Sequence, residues 1–419
     1  MERLSHARFR FSITEAAILT ALAAITLLLV HNVDFRVYWY AVTGFFGGTR
    51  GAYGPSSGIG APMDYVYPPV TYLLLYPIKW FPLQAAGFLW MLGELFCVAA
   101  SVHVFARLWH LRFKPVAVVT CSALMLPYLV LSARYGNVQP FVIAFLFMAL
   151  VLPEEKAWLS GLFFALAVAF KISPLFFLPW FLQRRKTLCF FCIFTILLWA
   201  APLAFFGGGS YLHMLREWYV AATNIAAAPS EFHYFPGQTL RALCLRFLTP
   251  VNPPISGYPM VNLLSLTPSA AVRIWQFLAL GIYAFVVFCM FRTRQRAVGL
   301  WDGLAFVLYS VLQPFAVKVS LISLGPAAVI GAAFLSVRAP DSLEPRNSLA
   351  NRLYFAAALL SFGAACIQYK PYLRWLQAIG IDFWVSCLLG ASLLVWMAAK
   401  PDATNEHPNI PDVTHAAAS

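Results

Sequence analysis

The chain has 419 residues, of which 61% are hydrophobic and only 11% are charged, and its mean hydropathy is +0.74. Soluble domains carry roughly 25% charged residues, so this composition excludes a protein whose whole surface meets water. The formal net charge of +13 does not indicate nucleic-acid binding, because the basic residues form short clusters between apolar runs, as in cytoplasmic loops of membrane proteins. We therefore expect an all-α polytopic membrane protein.

The apolar runs predict about twelve transmembrane helices, since each span requires about 20 apolar residues. The basic clusters between them predict cytoplasmic N- and C-termini. Two of the runs, on either side of Lys171, are short, and the alternative interpretation is that together they form one broken helix. In chain order the predicted helices lie at about 12–31, 83–109, 115–133, 138–153, 157–170, 173–183, 187–206, 269–291, 300–316, 319–337, 353–368 and 378–398.

The first apolar run, Ile13–Val30, follows Arg3, Arg8 and Arg10. A cleaved signal peptide is the alternative interpretation of this segment. However, the run is long for the apolar region of a signal peptide, and no small-x-small cleavage site precedes His31. We therefore interpret it as the first transmembrane span.

Two long segments on the predicted outer side, residues 32–82 and 207–268, separate groups of spans. They contain amphipathic stretches that we expect to lie as juxtamembrane helices along the membrane surface. Residues 1–400 are predicted to form a single transmembrane domain. The last segment, 401–419, is polar and is predicted to be a disordered cytoplasmic tail.

Acidic residues are scarce on the predicted outer side, where they are Asp34, Asp64, Glu217, Glu231 and Asp382. Asp34 follows the first span directly and lies beside His31 and Arg36. A carboxylate at this boundary is suited to act as a general base on a hydroxyl presented at the surface. The alternative is a structural role, because Asp is favoured as the N-cap of a helix such as 35–40.

Cations also collect at the outer ends of the predicted spans, and they are Arg134, Lys171, Arg241, Arg246 and Lys318. Such side chains often only extend to the interface. Lys171, however, is flanked by long apolar segments, where a charge is costly and indicates function. Converging cations at this depth would suit a phosphate group.

Metal and cofactor patterns are not visible in the sequence. No H-E-x-x-H motif or cluster of His and Asp residues indicates a bound metal, so neither a metal nor a cofactor is expected. His233, in the outer segment SEFHYFPGQ, has aromatic neighbours suited to a sugar site, although a single loop histidine is usually unremarkable.

Several of these residues recur in an order that resembles a known family. They are Asp34 with Tyr38, Tyr67-Pro68-Pro69, Gly136 with Asn137 and Gln139, Gly161 with Lys171 and Pro174, and Gly237-Gln238-Thr239-Leu240 with Arg241. In order and spacing the set resembles the GT-C superfamily of glycosyltransferases that use lipid-linked sugars. Within it the similarity is to glycosyltransferase family 87, the polyprenyl-phosphate-mannose-dependent α-mannosyltransferases.

The resemblance implies an inverting transfer of a hexose, with mannose as the first expectation, from a polyprenyl-phosphate co-substrate to a hydroxyl of a glycan or glycolipid acceptor. It implies a catalytic base at Asp34 and an active site on the periplasmic face of a bacterial inner membrane. With the cations above, it implies a set of phosphate- and substrate-binding residues, which are Lys171, Arg134, Lys318, Arg241, Tyr67, Asn137, Gln139, Gln238 and His233.

The sequence also departs from the family pattern. The two amides of the family's G-Q-x-N order are exchanged here as Asn137 and Gln139, and Gly237 stands where the family usually has Asn. The late segment Gln313–Lys318 lacks the family's histidine, which implies either that Lys318 replaces it or that the sugar is not mannose. A transporter or flippase of lipid-linked sugars is the alternative function. It predicts charged or broken helices at mid-bilayer, whereas acids within the predicted spans reduce mainly to Glu94.

Overall fold

The computed structural model describes residues 33–53, 65–227, 237–250, 259–293, 299–314, 318–337, 345–367 and 369–399. Within these ranges the regular elements are all helices, which confirms the predicted all-α fold. The predicted first span, His233 and the C-terminal tail lie outside the described residues.

The described residues form sixteen α-helices, which are α1 (Val33–Phe46), α2 (Val70–Leu74), α3 (Leu83–Leu108), α4 (Pro115–Tyr135), α5 (Gln139–Val151), α6 (Ala157–Phe170), α7 (Leu178–Phe181), α8 (Arg185–Phe206), α9 (Gly208–Ala227), α10 (Leu240–Leu248), α11 (Pro268–Thr293), α12 (Leu300–Leu312), α13 (Gly325–Val337), α14 (Pro345–Cys366), α15 (Lys370–Ala378) and α16 (Ile381–Ala398). Short 3₁₀ helices lie between them at Tyr76–Trp80, Glu154–Lys156, Ser173–Phe177 and Lys318–Leu324.

Seven helical segments in the described part of the chain are long and apolar enough to cross a membrane. They are α3, α4, α8, α11, the segment Lys318–Val337, most of α14, and α16. Two further apolar helices, α5 and α12, have 13 residues each, which at about 1.5 Å per residue is a rise of about 20 Å. This is shorter than a bilayer core of about 30 Å. Every residue of α12 except Asp302 is buried, so α12 lies among other helices and does not face lipid.

The segment predicted as a span at 173–183 is instead a 3₁₀ helix, Ser173–Phe177, followed by the short helix α7. Lys171 interrupts the helical backbone with extended angles, and Pro174 and Pro179 each lack a backbone N–H for continuing a helix. The rings of Phe164 and Phe181 stack at 4.3 Å, so the broken segment folds back along α6. It is too short to cross a membrane alone.

The helices place their loops at two ends of the bundle. At one end, which we call the basic end, Arg184 donates to the carbonyls of Ala149, Leu150 and Leu152. This end contains the loops 109–114, 152–156 and 182–184. At the other end, which we call the site end, α4 and α6 finish and α5 begins, so residues 136–139 and 171 come together.

Two of the predicted juxtamembrane stretches are integrated into the bundle differently. Helix α1 is largely buried along one face through Phe35, Tyr38 and Val42, and the ring of Tyr38 lies 5.5 Å from that of Trp90 on α3. Helix α9, by contrast, is mostly exposed. Asp34 lies one helical turn before Tyr38 on this helix, so the packing of α1 against the spans holds Asp34 in a fixed position.

Candidate active site

Asp34 lies in the first turn of α1 and is partly exposed. Its Oδ2 accepts a hydrogen bond of 2.6 Å from Asn137 Nδ2. The Asn137 amide cannot rotate freely, because its Oδ1 accepts from the backbone N–H of Gln139 at 2.9 Å. Gly136 adopts a left-handed conformation that ends α4 and turns the chain into this position. The carboxylate is thus oriented by an amide that is itself held in place.

Gln139 connects this pair to Lys171. The Lys171 Nζ donates to Gln139 Oε1 at 2.8 Å, and Gln139 is only 1% exposed. On the other side, the Tyr309 hydroxyl lies 3.5 Å from Gln139 Nε2 and 2.6 Å from Ser173 Oγ. One network therefore joins α1, the turn between α4 and α5, the end of α6 and helix α12.

Two tyrosines close the network beside Asp34. The hydroxyls of Tyr38 and Tyr67 are 2.8 Å apart, and the backbone N–H of Val138 donates to Tyr38 Oη at 3.3 Å. Their rings meet edge to face at 5.1 Å. Tyr67 is only partly buried, so part of its side chain remains accessible beside Asp34.

The electrostatics of Asp34 and Lys171 are coupled. Burial raises the pKa of Asp34, while the hydrogen bond from Asn137 and the charge of Lys171 lower it. Burial lowers the pKa of Lys171 to about 8, and the charge of Asp34 acts against this shift. Other titratable groups near Asp34 are Tyr67 and Glu94. Each charge of the pair therefore favours the other's ionised form in a partly desolvated site.

A second group of residues, which we call the Asp382 cluster, comprises Asp382, Lys318, Arg246 and Tyr128. Asp382 Oδ1 lies 3.5 Å from Lys318 Nζ and accepts from Tyr128 Oη at 3.0 Å. Burial lowers the pKa of Arg246 to about 10, and the charge of Asp382 opposes this shift. Arg241 donates to the Pro314 carbonyl at 3.3 Å and lies over the ring of Trp275.

The structure thus divides the predicted cations between two places. Lys171 joins Asp34, whereas Lys318 pairs with Asp382 and Arg241 contacts Pro314 and Trp275. The described contacts include no direct bond between Lys318 and Asp34. Helix α12 runs between the two places, since Tyr309 belongs to the first, and Pro314, just past the end of α12, accepts from Arg241 on α10, the helix that also carries Arg246. Four residues of helix separate Tyr309 from Gln313, a rise of about 6 Å. Both groups therefore lie towards the site end.

The remaining predicted site residues are dispersed. Arg134 is exposed on the last turn of α4, and Gln238 is buried with its Nε2 donating to the carbonyl of Gln377 at 3.1 Å. The described residues include no group of three or more His, Cys, Asp or Glu side chains that could hold a metal ion.

Sequence reasoning missed two members of the network, Ser173 and Tyr309. Ser173 lies two positions after Lys171, just past the break in the helix, and this proximity was a usable signal. Tyr309 lies within an apolar run that gives no sign of function, because its position depends on how α12 packs against α5 and the broken segment.

Residues 65–252, a little under half of the chain, match the model of glycosyltransferase family 87. A curated relative from Mycolicibacterium smegmatis, named as a polyprenol-phosphate-mannose-dependent alpha-(1-2)-phosphatidylinositol pentamannoside mannosyltransferase, is 26% identical over 125 residues. The alignment covers 30% of this chain and 30% of the relative. No solved structure matches the chain. The family match contains Tyr67, Asn137, Gln139 and Lys171 of the network, so the chain is similar to glycosyltransferase family 87 over the segment that carries these residues.

Proposed function

We propose that this protein is a membrane glycosyltransferase that transfers a hexose from a polyprenyl-phosphate donor to an acceptor hydroxyl, with Asp34 as the general base. The observation that carries the proposal is the Asp34–Asn137 hydrogen bond with Lys171 close by. A partly exposed carboxylate, oriented by an amide and facing a cation, suits proton removal beside a departing anion.

In this mechanism the acceptor oxygen attacks the anomeric carbon while its proton passes to Asp34. Asn137 engages Oδ2, so Oδ1 is the oxygen that receives the proton. The bond between the anomeric carbon and the phosphate oxygen breaks, and its electron pair leaves with the lipid phosphate. Lys171 offsets the negative charge on that phosphate. A single displacement of this kind inverts the anomeric configuration.

The donor is proposed from the family and from the relative's name, which specifies polyprenol-phosphate-mannose. Mannose is the first sugar to test, and another hexose is the alternative because Lys318 stands where the family has a histidine. The acceptor is a glycan or glycolipid. We further propose that residues 1–400 act as one domain in a bacterial inner membrane, with the site end in the periplasm. A buried cluster extending from Phe35 to Trp396 supports the single unit.

The test is transfer of radiolabelled mannose from polyprenyl-phosphate-mannose to a lipid-glycan extract by the purified protein. Asp34→Asn keeps the shape and can still accept from Asn137, but it cannot take a proton, so we expect kcat/KM to fall by about 100-fold or more. Glu155→Gln, an exposed carboxylate at the basic end, is the matched control and should retain activity.

Unchanged transfer by Asp34→Asn would overturn the mechanism. If the wild type transfers no sugar from any polyprenyl-phosphate donor, while the purified protein moves such lipids across reconstituted vesicles, the transporter function would replace the proposed one.

A further inference from the structure

The hydrogen bonds that begin at Lys171 form a chain with a fixed direction. The ammonium of Lys171 is a donor only, so the Gln139 amide turns its Oε1 toward Lys171, at 2.8 Å. The amide Nε2, which is also a donor only, then faces the Tyr309 hydroxyl at 3.5 Å. Tyr309 Oη is therefore the acceptor in this contact, and its own proton is left for another partner.

The partner for the proton of Tyr309 is Ser173. Tyr309 is only 1% exposed, and a buried hydroxyl proton needs an acceptor. The acceptor that the described contacts provide is Ser173 Oγ, 2.6 Å from Tyr309 Oη. The Tyr309 ring packs against the rings of Phe176 and Phe177, at centroid distances of 5.9 and 5.5 Å, which holds its hydroxyl in this place. The chain that begins at Lys171 thus ends with Ser173 as an acceptor.

A serine hydroxyl that accepts in this way still has one proton to donate. The described contacts include no acceptor for this proton, and Ser173 is only partly buried, so the proton is available to a ligand. Ser173 follows Lys171 by two positions, at the break between α6 and the 3₁₀ helix Ser173–Phe177. One short loop therefore presents two donors, an ammonium and a hydroxyl, that the same network holds in place.

The surface beside these two donors is apolar. Ile172 and Leu175 lie on either side of Ser173 in the sequence and are 40% and 39% exposed. Aliphatic side chains next to a cation and a hydroxyl suit an amphiphile, whose phosphate meets the donors while its hydrocarbon chain covers the apolar surface. The surroundings of Ser173 therefore favour the phosphate of a lipid over a free phosphate ion.

We propose that the Ser173 hydroxyl donates to the phosphate of the sugar donor beside Lys171, and that Tyr309 fixes the direction of this hydroxyl. The inference rests on the proposed glycosyltransferase function. The phosphodiester of the donor carries one negative charge. When its bond to the anomeric carbon breaks, the electron pair moves to the phosphate oxygen, and the departing monoester carries a charge of about −2. Asp34 becomes neutral in the same step by taking the acceptor's proton. The bond from Ser173 therefore strengthens as the phosphate leaves, which lowers the barrier.

Binding can be measured without sugar transfer. The purified full-length protein is titrated in detergent with undecaprenyl phosphate or with undecaprenol, which has the same chain and no phosphate, and the rise in unfolding temperature gives each Kd. The wild type should bind the phosphate more tightly than the alcohol. Ser173→Ala should raise the Kd for the phosphate by about 10-fold, the effect of losing one hydrogen bond to a charged group. The Kd for undecaprenol should stay unchanged.

Further variants separate the hydroxyl from the packing around it. Ser173→Thr keeps the donor, so its Kd for the phosphate should stay within about threefold of the wild type. Tyr309→Phe should raise the Kd for the phosphate alone, by less than Ser173→Ala does. Ser361→Ala removes a buried hydroxyl that donates to the Leu124 carbonyl, and as the matched control it should leave both Kd values unchanged. If Ser173→Ala does not fold, Ser173→Cys keeps the size of the side chain with a poor donor and should give the same loss.

Sugar transfer then tests the role of the hydroxyl in the reaction. With polyprenyl-phosphate-mannose as the donor, Ser173→Ala should lower kcat by about 10-fold, while the KM for the acceptor stays unchanged. The inference is overturned if Ser173→Ala keeps the full preference for the phosphate over the alcohol, or if the acceptor KM rises while phosphate binding is unchanged. Failure of the proposed function is recognised separately, as absent transfer by the wild type, because the binding measurement requires no transfer.

Discussion

At the scale of single residues, the ionisation of Asp34 depends on opposing effects of burial and of its polar neighbours. Burial favours the protonated form of Asp34, whereas Asn137 and Lys171 favour the ionised form that a base requires. Because Lys171 is itself desolvated, its charge is available only below its lowered pKa. The two residues therefore define a window of pH in which both are ionised.

The dependence of kcat/KM on pH should follow from this pair. Activity should rise with pH as Asp34 loses its proton, at a pH above the ordinary range for aspartate, and fall again as Lys171 loses its proton at a pH of about 8. In Lys171→Arg the cation persists at high pH, so the alkaline fall should move upward by more than one unit. A fall at the same pH in this variant would show that another group is responsible.

Asn137→Ala should test the orienting amide. The variant removes the hydrogen bond that lowers the pKa of Asp34, so the acidic limb of the pH profile should move to higher pH, and kcat should fall by about 10-fold. Asn224→Ala, exposed on α9, is the matched control. A lower kcat without any movement of the acidic limb would indicate a role for Asn137 that does not act through Asp34.

At the scale of elements, the position of Lys171 depends on how closely α6 approaches α8. A Cβ added at Gly161 would lie 2.7 Å from the Cβ of Phe190 and 2.7 Å from the backbone nitrogen of Phe191. The glycine therefore allows a near contact of two backbones. Because α6 ends at Phe170, any displacement of this helix also moves Lys171.

Gly161→Ala should consequently destabilise the protein, since inserting a methyl group into a tight helix contact costs roughly 1–3 kcal/mol. Gly281 on α11 has no atom within 4 Å of an added Cβ, so Gly281→Ala should leave the unfolding temperature unchanged or raise it slightly. Thermal unfolding of the two purified variants in the same detergent provides the measurement. Equal unfolding temperatures of the two variants would show that α6 and α8 can move apart to accommodate the methyl group without a loss of stability.

At the scale of the whole molecule, the two ends of the bundle differ in composition. Short loops at the basic end contain clustered Arg and Lys residues, while the site end contains the longer segments with α1, α9 and α10. By the positive-inside rule the basic end should face the cytoplasm. The site end would then face the periplasm.

Cysteine labelling in intact cells should test this orientation. A membrane-impermeant maleimide should label Arg216→Cys, which lies on α9, above the background of the native cysteines. Lys186→Cys, exposed next to the basic end, should be labelled only after the inner membrane is opened. The reverse pattern would contradict the predicted orientation.

Local patterns in the sequence were sufficient to predict the fold class. A chain with few charges and long apolar runs lies in lipid, where helices satisfy the hydrogen bonds of the backbone internally. The position of the rare charges predicted Asp34 and Lys171, and the family resemblance added Tyr67, Asn137 and Gln139. The structure brings these five into one network. Length and apolarity could not distinguish spans from shorter internal helices. The predicted twelve spans therefore included α5 and α12, together with the broken segment after Lys171.

Only the tertiary structure decided which charges meet. The sequence predicted one convergence of cations on Asp34, whereas the fold pairs Lys318 with Asp382 and leaves Arg134 exposed. It also brings Tyr309 to Gln139 across 170 positions of the chain. Contacts of this kind depend on packing between distant helices, and no local periodicity encodes them. Composition determined that the chain lies in a membrane and where its rare charges stand, and helix packing determined which of those charges act together.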